Sequence, residues 1–412
     1  MYKIKFIVVS LVFFLQFSSY ADFFSAVNEE PSIYTSNNLQ EFVTTISQYE
    51  PETPEKAVFL QKIVDYYKKV HILNSIQKNN YVVDCIPFAE QPALIDFPKL
   101  AESLIDEVKE SFSQNFSELV RVGSNFEVNS SLECPYGSVA IIRPTKMLLT
   151  SKYTNKKDFF SLNSDPNILF NSSGSGYTWE QGVNENNQLI QIKTKKSEAF
   201  FRGPQLQSVT PASHADHSIA QFWLINRGSE GTYSVEFGLI ASSYFTSSPS
   251  TSIFIFASVD NYGSKSCYNM YCANFIQMPG TPAFGTPLKN KNNDFIFQVN
   301  HLDKNNAQSG YYLTLVTGDS SAQMTTLAMG YYPDRVYPST NVLPNAFSVG
   351  AEVYASSPNN GTVMYGNYVN PYPEYQGEKQ INIFTQNGNY FPFYSSIEAF
   401  PYNLIWHFGQ KK

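Results

Sequence analysis

The chain has 412 residues, enough for about two or three domains of ordinary size. A formal charge of −7 with only 15% charged residues disfavours nucleic acid and anionic membranes as partners, since both select basic surfaces. Phe, Tyr and Trp make up 16% of the residues, which excludes coiled coil, collagen and disorder and favours strands rich in aromatic side chains.

Residues 1–21 open with Lys3 and Lys5, run through a largely apolar stretch from Phe6 to Phe17, and close on Ser19-Tyr20-Ala21. Positive charge, apolar run and small-x-small in that order read as a signal peptide cut after Ala21. No later stretch reaches the ~18 apolar residues that a membrane span requires, so the expected product is secreted and has no membrane partner. Residues 22–160 read as a smaller α+β domain. Thr53-Pro54-Glu55 gives a helix cap, a first-turn proline and a first-turn acid, followed by apolar Val58, Ile63, Val64 and Tyr67. A second helix is expected from Pro98 through Leu104 to about Phe116.

The Ser/Asn/Gly-rich stretch 161–176 reads as a linker. Charge density drops across it: residues 22–170 hold 20 acids and 13 bases, and the longer remainder holds 15 and 13. Residues 177–412 show short apolar segments at Ala220–Ile225, Tyr233–Ile240, Ser252–Val259, Asp294–Val299, Tyr311–Val316 and Phe347–Ala355, separated by Gly, Asn, Pro and Ser. Many short strands without intervening helical periodicity predict an antiparallel β-sandwich of two sheets.

Cys85, Cys134, Cys267 and Cys272 are an even set in an oxidising compartment. Pairing Cys85 with Cys134 and Cys267 with Cys272 is the simplest of the three connectivities. Zinc is not supported, because no Cys-x-x-Cys pair exists and no histidine neighbours the cysteines. His214-Ala215-Asp216-His217 lacks an evident third ligand. His71, His301 and His407 read as structural or surface residues. Sequons stand at Asn115, Asn129, Asn171 and Asn360, for use only in a eukaryotic source. Neither a Gly-x-Ser-x-Gly elbow nor a phosphate loop nor a dinucleotide fingerprint occurs, and no cofactor is implied.

In Tyr233-Ser234-Val235-Glu236-Phe237-Gly238-Leu239, alternation assigns Tyr233, Val235, Phe237 and Leu239 to a core face and Ser234, Glu236 and Gly238 to the other. The run Phe347 to Val353 repeats the pattern, with Ser348, Gly350 and Glu352 opposite the apolar face. Each glutamate has a glycine two residues away on its own face, leaving room for a substrate backbone. On alternation alone, such a glutamate is most often a solvated surface charge.

The surrounding residues add a resemblance. From about Tyr81 onward the chain resembles the neprosin family of glutamic peptidases together with its activation peptide. The first part is carried by Asp84-Cys85, Gln91-Pro92-Ala93, Pro98-Lys99-Leu100 and Cys134-Pro135-Tyr136-Gly137-Ser138-Val139 ending at Arg143. The second is carried by Ser218-Ile219-Ala220-Gln221-Phe222-Trp223, Val235-Glu236-Phe237-Gly238, Cys267-Tyr268-Asn269 with Cys272, Gly330-Tyr331-Tyr332-Pro333 and Gly350-Ala351-Glu352-Val353. The resemblance implies a β-sandwich with Glu236 and Glu352 as a catalytic pair on one concave sheet face. It also implies a substrate groove at Gln221, Trp223, Gly238 and Gly350, and the two cysteine pairs given above. The family's usual tryptophans are replaced by Leu239 and Val349, and its second glycine by Ala351, changes that bear on the cleft wall.

Two carboxyl groups close together in a partly desolvated cleft hold one proton between them over an acidic range, so one serves as base and the other as acid. The implied activity is a secreted endopeptidase cleaving beside proline in proline-rich peptides at acidic pH. It would be made as a zymogen whose own pro-domain, residues 22–160, covers the cleft. A glycoside hydrolase with paired carboxylates and a non-catalytic carbohydrate-binding sandwich are the alternatives.

Overall fold

The computed structural model describes residues 38–51, 53–145, 148–149, 176–181, 194–202, 217–228, 231–242, 250–260, 267–271, 274–289, 294–302, 308–318, 324–337, 346–354, 381–385 and 390–391. The leader, residues 161–175 of the linker, His214, Asp216, Cys272, Asn171, Asn360 and His407 lie outside these.

The N-terminal unit is α+β. Helix α1 (Leu39–Gln48) starts where the Asn38 side chain accepts from the Glu41 N–H at 3.2 Å, and it buries Phe42, Val43 and Ile46. Sequence reasoning missed it. Helix α2 (Pro54–Lys69) begins at the expected cap, with Thr53 Oγ1 accepting from the Lys56 N–H at 3.2 Å, and ends on Lys68 and Lys69, which suit the dipole's negative end. Its buried stripe is Leu60, Ile63, Val64 and Tyr67, whereas Val58 is 50% exposed. Position 58 lies more than half a turn from Leu60, which is the residue the helical period needs.

A three-stranded antiparallel sheet follows in spatial order β1 (Asn74–Gln77), β2 (Val82–Pro87), β3 (Ser138–Ile142). Between β2 and β3 runs helix α3 (Pro98–Gly123), seven residues longer than expected because Leu119 and Val122 extend its buried stripe. A short helix α4 (Ser130–Glu133) leads to Cys134, which is disulfide-bonded to Cys85. The central β2 is buried along nearly its whole length. It carries Asp84, 0% exposed, in a two-point ion pair with Arg143: Nε to Oδ2 at 2.9 Å and Nη2 to Oδ1 at 2.6 Å. The sequon at Asn129 is committed structurally. Its Nδ2 donates to Val120 O, its Oδ1 accepts from Ser131 Oγ, and a glycan has no room at this buried site; Asn115 is exposed.

The C-terminal unit is built of antiparallel strands. A six-stranded sheet has the order β4 (Gly176–Gln181), β14 (Ala346–Tyr354), β6 (His217–Gly228), β7 (Gly231–Ser242), β8 (Thr251–Ser258), β9 (Cys267–Tyr268). A seven-stranded sheet has the order β10 (Ile276–Gln277), β13 (Thr325–Pro333), β12 (Gly310–Gly318), β11 (Asp294–Leu302), β5 (Thr194–Arg202), β15 (Ile381–Thr385), β16 (Tyr390–Phe391). Both sheets feed one continuous apolar core, with Val235, Phe237 and Ile255 from the first and Phe297, Leu313 and Leu327 from the second. At the β10 edge, Gly330 has φ +142°, and a Cβ there would stand 2.1 Å from the Ile276 carbonyl, so only glycine fits.

The two units join through backbone. Glu127 N–H donates to Pro287 O at 2.9 Å and Lys289 N–H to Asn125 O at 2.8 Å, flanking an antiparallel bridge between Phe126 and Leu288. Gln91 does the same with a side chain. Its Oε1 accepts from the Gln277 N–H at 2.7 Å and its Nε2 donates to the Gln277 carbonyl at 3.2 Å, so one amide side chain pairs with the sheet edge as a peptide group would.

Candidate active site

The six-stranded sheet brings distant segments into register. Strand β6 is flanked by β7, reached through a tight connection, and by β14, which arrives from about a hundred residues later. Trp223 pairs with Glu236 on one side and Ser348 on the other; Gln221 pairs with Gly238 and Gly350; Ile219 pairs with Ile240 and Glu352. Directly paired residues share a face, and so do residues two apart. Glu236, Gln221 and Glu352 therefore occupy one face of three adjacent strands, stepping diagonally by one strand and two residues each time. The middle row reads Gly238, Gln221, Gly350, with a glycine on both sides of the glutamine. All six candidate site residues lie within three consecutive rows of this sheet.

Sequence alternation expected a polar, half-solvated face at Ser234, Glu236 and Gly238. Instead both faces of β7 are covered: Ser234 is 1% exposed and Glu236 is 0% exposed. The reason lies across the strands. Phe256 and Phe254 of β8 pair with Glu236 and Gly238, are themselves fully buried, and pack on Tyr268. Ser234 Oγ donates to Glu236 Oε1 at 2.8 Å, a bond between neighbours on one strand face that orients the carboxylate. Sequence reasoning placed Ser234 on that face without assigning it this role. A second residue it did not assign is Tyr332 of β13, in the other sheet. Burial raises its phenol pKa well above the ordinary value, and the fields of Tyr337 and then Glu236 add to the rise, so the Glu236 charge is felt between the sheets.

Cys267 lies in β9, beside Ala257 and next to the segment in which Asn269 ties to β8. Among the described residues no cluster of three or more His, Cys, Asp or Glu could hold a metal ion, and no helix is long and apolar enough to cross a membrane.

Comparison with known proteins gives two results. Residues 214–386 match the family model of neprosin, so this part of the chain carries a neprosin domain. The matched span runs from just before β6 to just after β15 and contains every residue of the three-strand array. A solved structure, scytalido-glutamic peptidase with a transition-state analogue inhibitor, is similar over 53% of this chain and 82% of that chain, with a TM-score of 0.25 and 8% identity.

Proposed function

We propose that the protein is a secreted glutamic endopeptidase with a sandwich of two β-sheets, and that it hydrolyses peptide bonds beside proline at acidic pH with Glu236 and Glu352. The observation that carries this reading is the diagonal of Glu236, Gln221 and Glu352 within a neprosin domain. Strands about 4.8 Å apart and residues about 3.3 Å apart put the two glutamate backbones about 16 Å from one another. In this reading the two glutamates bracket the scissile peptide instead of sharing one proton directly. The bare positions Gly238 and Gly350 admit the substrate backbone, and Gln221 and Trp223 contact it.

The ionised glutamate takes a proton from a water as it attacks the scissile carbonyl. The protonated glutamate hydrogen-bonds the developing oxyanion and then protonates the leaving nitrogen. One carboxyl group must be neutral and the other charged, which confines activity to acidic pH. The N-terminal unit serves as a pro-domain and intramolecular inhibitor, supported by the Gln91 side chain that pairs with residue 277 and by the backbone pairing that fastens the unit to residues 287–289. The leader-like residues 1–21 and the Cys85–Cys134 disulfide support export.

Glu236→Gln and Glu352→Gln, each assayed on a proline-containing peptide across the acidic range, should lose on the order of 10²–10⁴ in kcat. Wild-type turnover in either variant removes that residue from the mechanism. Release of sugar from a polysaccharide, with no peptide cleavage, replaces the peptidase reading by the glycosidase one.

A further inference from the structure

Residues 279–288 form no helix or strand beyond two isolated bridges, yet every one of them is buried. Connecting segments ordinarily run over the surface, where water satisfies their backbone groups. This one is covered because it runs from the edge of one sheet to the edge of the other beneath the N-terminal unit. At its start, Gln277 of β10 stands at the end of the seven-stranded sheet, where the Gln91 side chain takes its N–H and carbonyl. Just beyond, Gly280 N–H donates at 3.3 Å to the carbonyl of Ser138, the first residue of β3.

At its end the segment lies along β8 of the six-stranded sheet. Gly285 N–H donates to Ile253 O at 2.8 Å and Leu288 N–H to Thr251 O at 2.9 Å, with a bridge between Ser252 and Pro287. Strand β7 holds the other side of β8. The groups left facing outward are Pro287 O and Lys289 N–H, and these are the ones that Glu127 N–H and Asn125 O take. Residues 125–127 are thus one further strand of the sheet that carries Glu236, anchored by Phe126, which is 0% exposed. Between the two ends, Ala283 packs with Tyr81, Val83, Val128, Ala140 and Ile142 of the N-terminal unit. One unit therefore closes an edge of each sheet at once. No disulfide can join the two parts: Cys85 is bonded to Cys134 within the N-terminal unit, and Cys267 and Cys272 both belong to the C-terminal part. The chain between them supplies only an effective concentration, of the order of millimolar.

We propose that the strip Gln277–Lys289 is a docking surface that holds the N-terminal unit as a separate chain, so that a cut between residues 149 and 176 does not release it. Departure would bare the apolar strip around Ala283 and Leu288 and open two sheet edges, each a template for pairing with other chains. The proposal deepens the pro-domain reading, on which its regulatory meaning rests: the step that frees the C-terminal unit is the opening of both edges, and cleavage of the chain only permits it.

The test uses the full chain at neutral pH, with the recognition sequence of a site-specific protease inserted between Ser164 and Asp165. After the cut, gel filtration at micromolar concentration should give one peak at the position of the uncut protein, containing both fragments, and dilution should give a dissociation constant below about 1 μM. Gln91→Leu, which removes both bonds to Gln277, should weaken the association of the cut chains by about tenfold or more. Lys289→Pro, at an exposed residue of the other edge, removes the N–H given to Asn125 O; it should weaken association several-fold and guards against a folding defect in the glutamine variant. Elution of the cut wild-type fragments as two separate peaks, or undiminished association in both variants, would overturn the proposal. Elution does not depend on activity, so this result and the fate of Glu236 and Glu352 as catalytic residues are read separately.

Discussion

Replacing Asp84 by asparagine exchanges one carboxylate oxygen for an NH2 group at the centre of the N-terminal unit. The carboxylate accepts from Arg143 at 2.9 and 2.6 Å, from Ser75 Oγ at 2.8 Å and from Tyr67 Oη at 3.4 Å, and the ion pair is 1% and 0% exposed. Burial by itself would lower the Arg143 pKa; the hydrogen bonds and charge of Asp84 outweigh it, and the net shift is upward. Asparagine removes the charge and turns an N–H donor toward donors. Breaking a buried pair from one side costs about 3–5 kcal/mol, so about 4 kcal/mol is expected for Asp84→Asn. The double variant Asp84→Leu with Arg143→Met removes both charges. It still leaves Ser75 and Tyr67 without their acceptor, at about 1 kcal/mol each, and should cost only about 2 kcal/mol. All three tryptophans, Trp179, Trp223 and Trp406, lie in the C-terminal part, whereas helices α1 to α3 lie in the N-terminal unit. Helical ellipticity in denaturant therefore reports the N-terminal unit and tryptophan fluorescence the other. A single variant that loses less than about 1 kcal/mol, or a double variant no more stable than the single, would refute the electrostatic account.

Gln91→Leu should strip the Gln277 N–H and carbonyl of their partner at a fully buried edge, costing about 2–4 kcal/mol for two unsatisfied groups. Hydrogen exchange at the Gln277 amide should speed up, and unchanged protection would show that the side chain is not what pairs that edge. Nine tyrosines, Tyr66, Tyr67, Tyr81, Tyr271, Tyr311, Tyr312, Tyr331, Tyr332 and Tyr337, have phenols raised chiefly by burial, Tyr331 to about 12. A raised folded pKa contributes stability that is intact below the unfolded phenol value of about 10 and is lost as pH climbs through the folded value. Phenolate absorbance and loss of ellipticity should therefore rise together above about pH 10; smooth phenol titration of a protein still folded would contradict this burial.

The places where sequence succeeded share a local cause. Thr53-Pro54 fixes a helix start because cap and first-turn proline act within one turn, and the six anticipated strand segments all fall on observed strands because apolar runs bounded by turn residues are themselves local signals. Helix α1 went unseen: Asn38 caps it, but its buried stripe is only Phe42, Val43 and Ile46, too short to stand out. Strands β9 and β10, two residues each, have no sequence signal at all and exist because a neighbouring edge accepts them.

For the candidate site, sequence by itself determined which residues share a strand face: Glu236 with Ser234 and Gly238, Glu352 with Gly350, through the two-residue repeat of the backbone. Only tertiary structure decided that β14 settles against β6, setting Gln221 between two glycines and both glutamates on one diagonal. It also decided that Glu236 is buried, since Phe254 and Phe256 on the neighbouring strand close over a face that its own strand leaves polar. Alternation is a property of one chain segment, whereas register and burial are set by which other segment lies alongside, and that choice is made by the packing of the whole core.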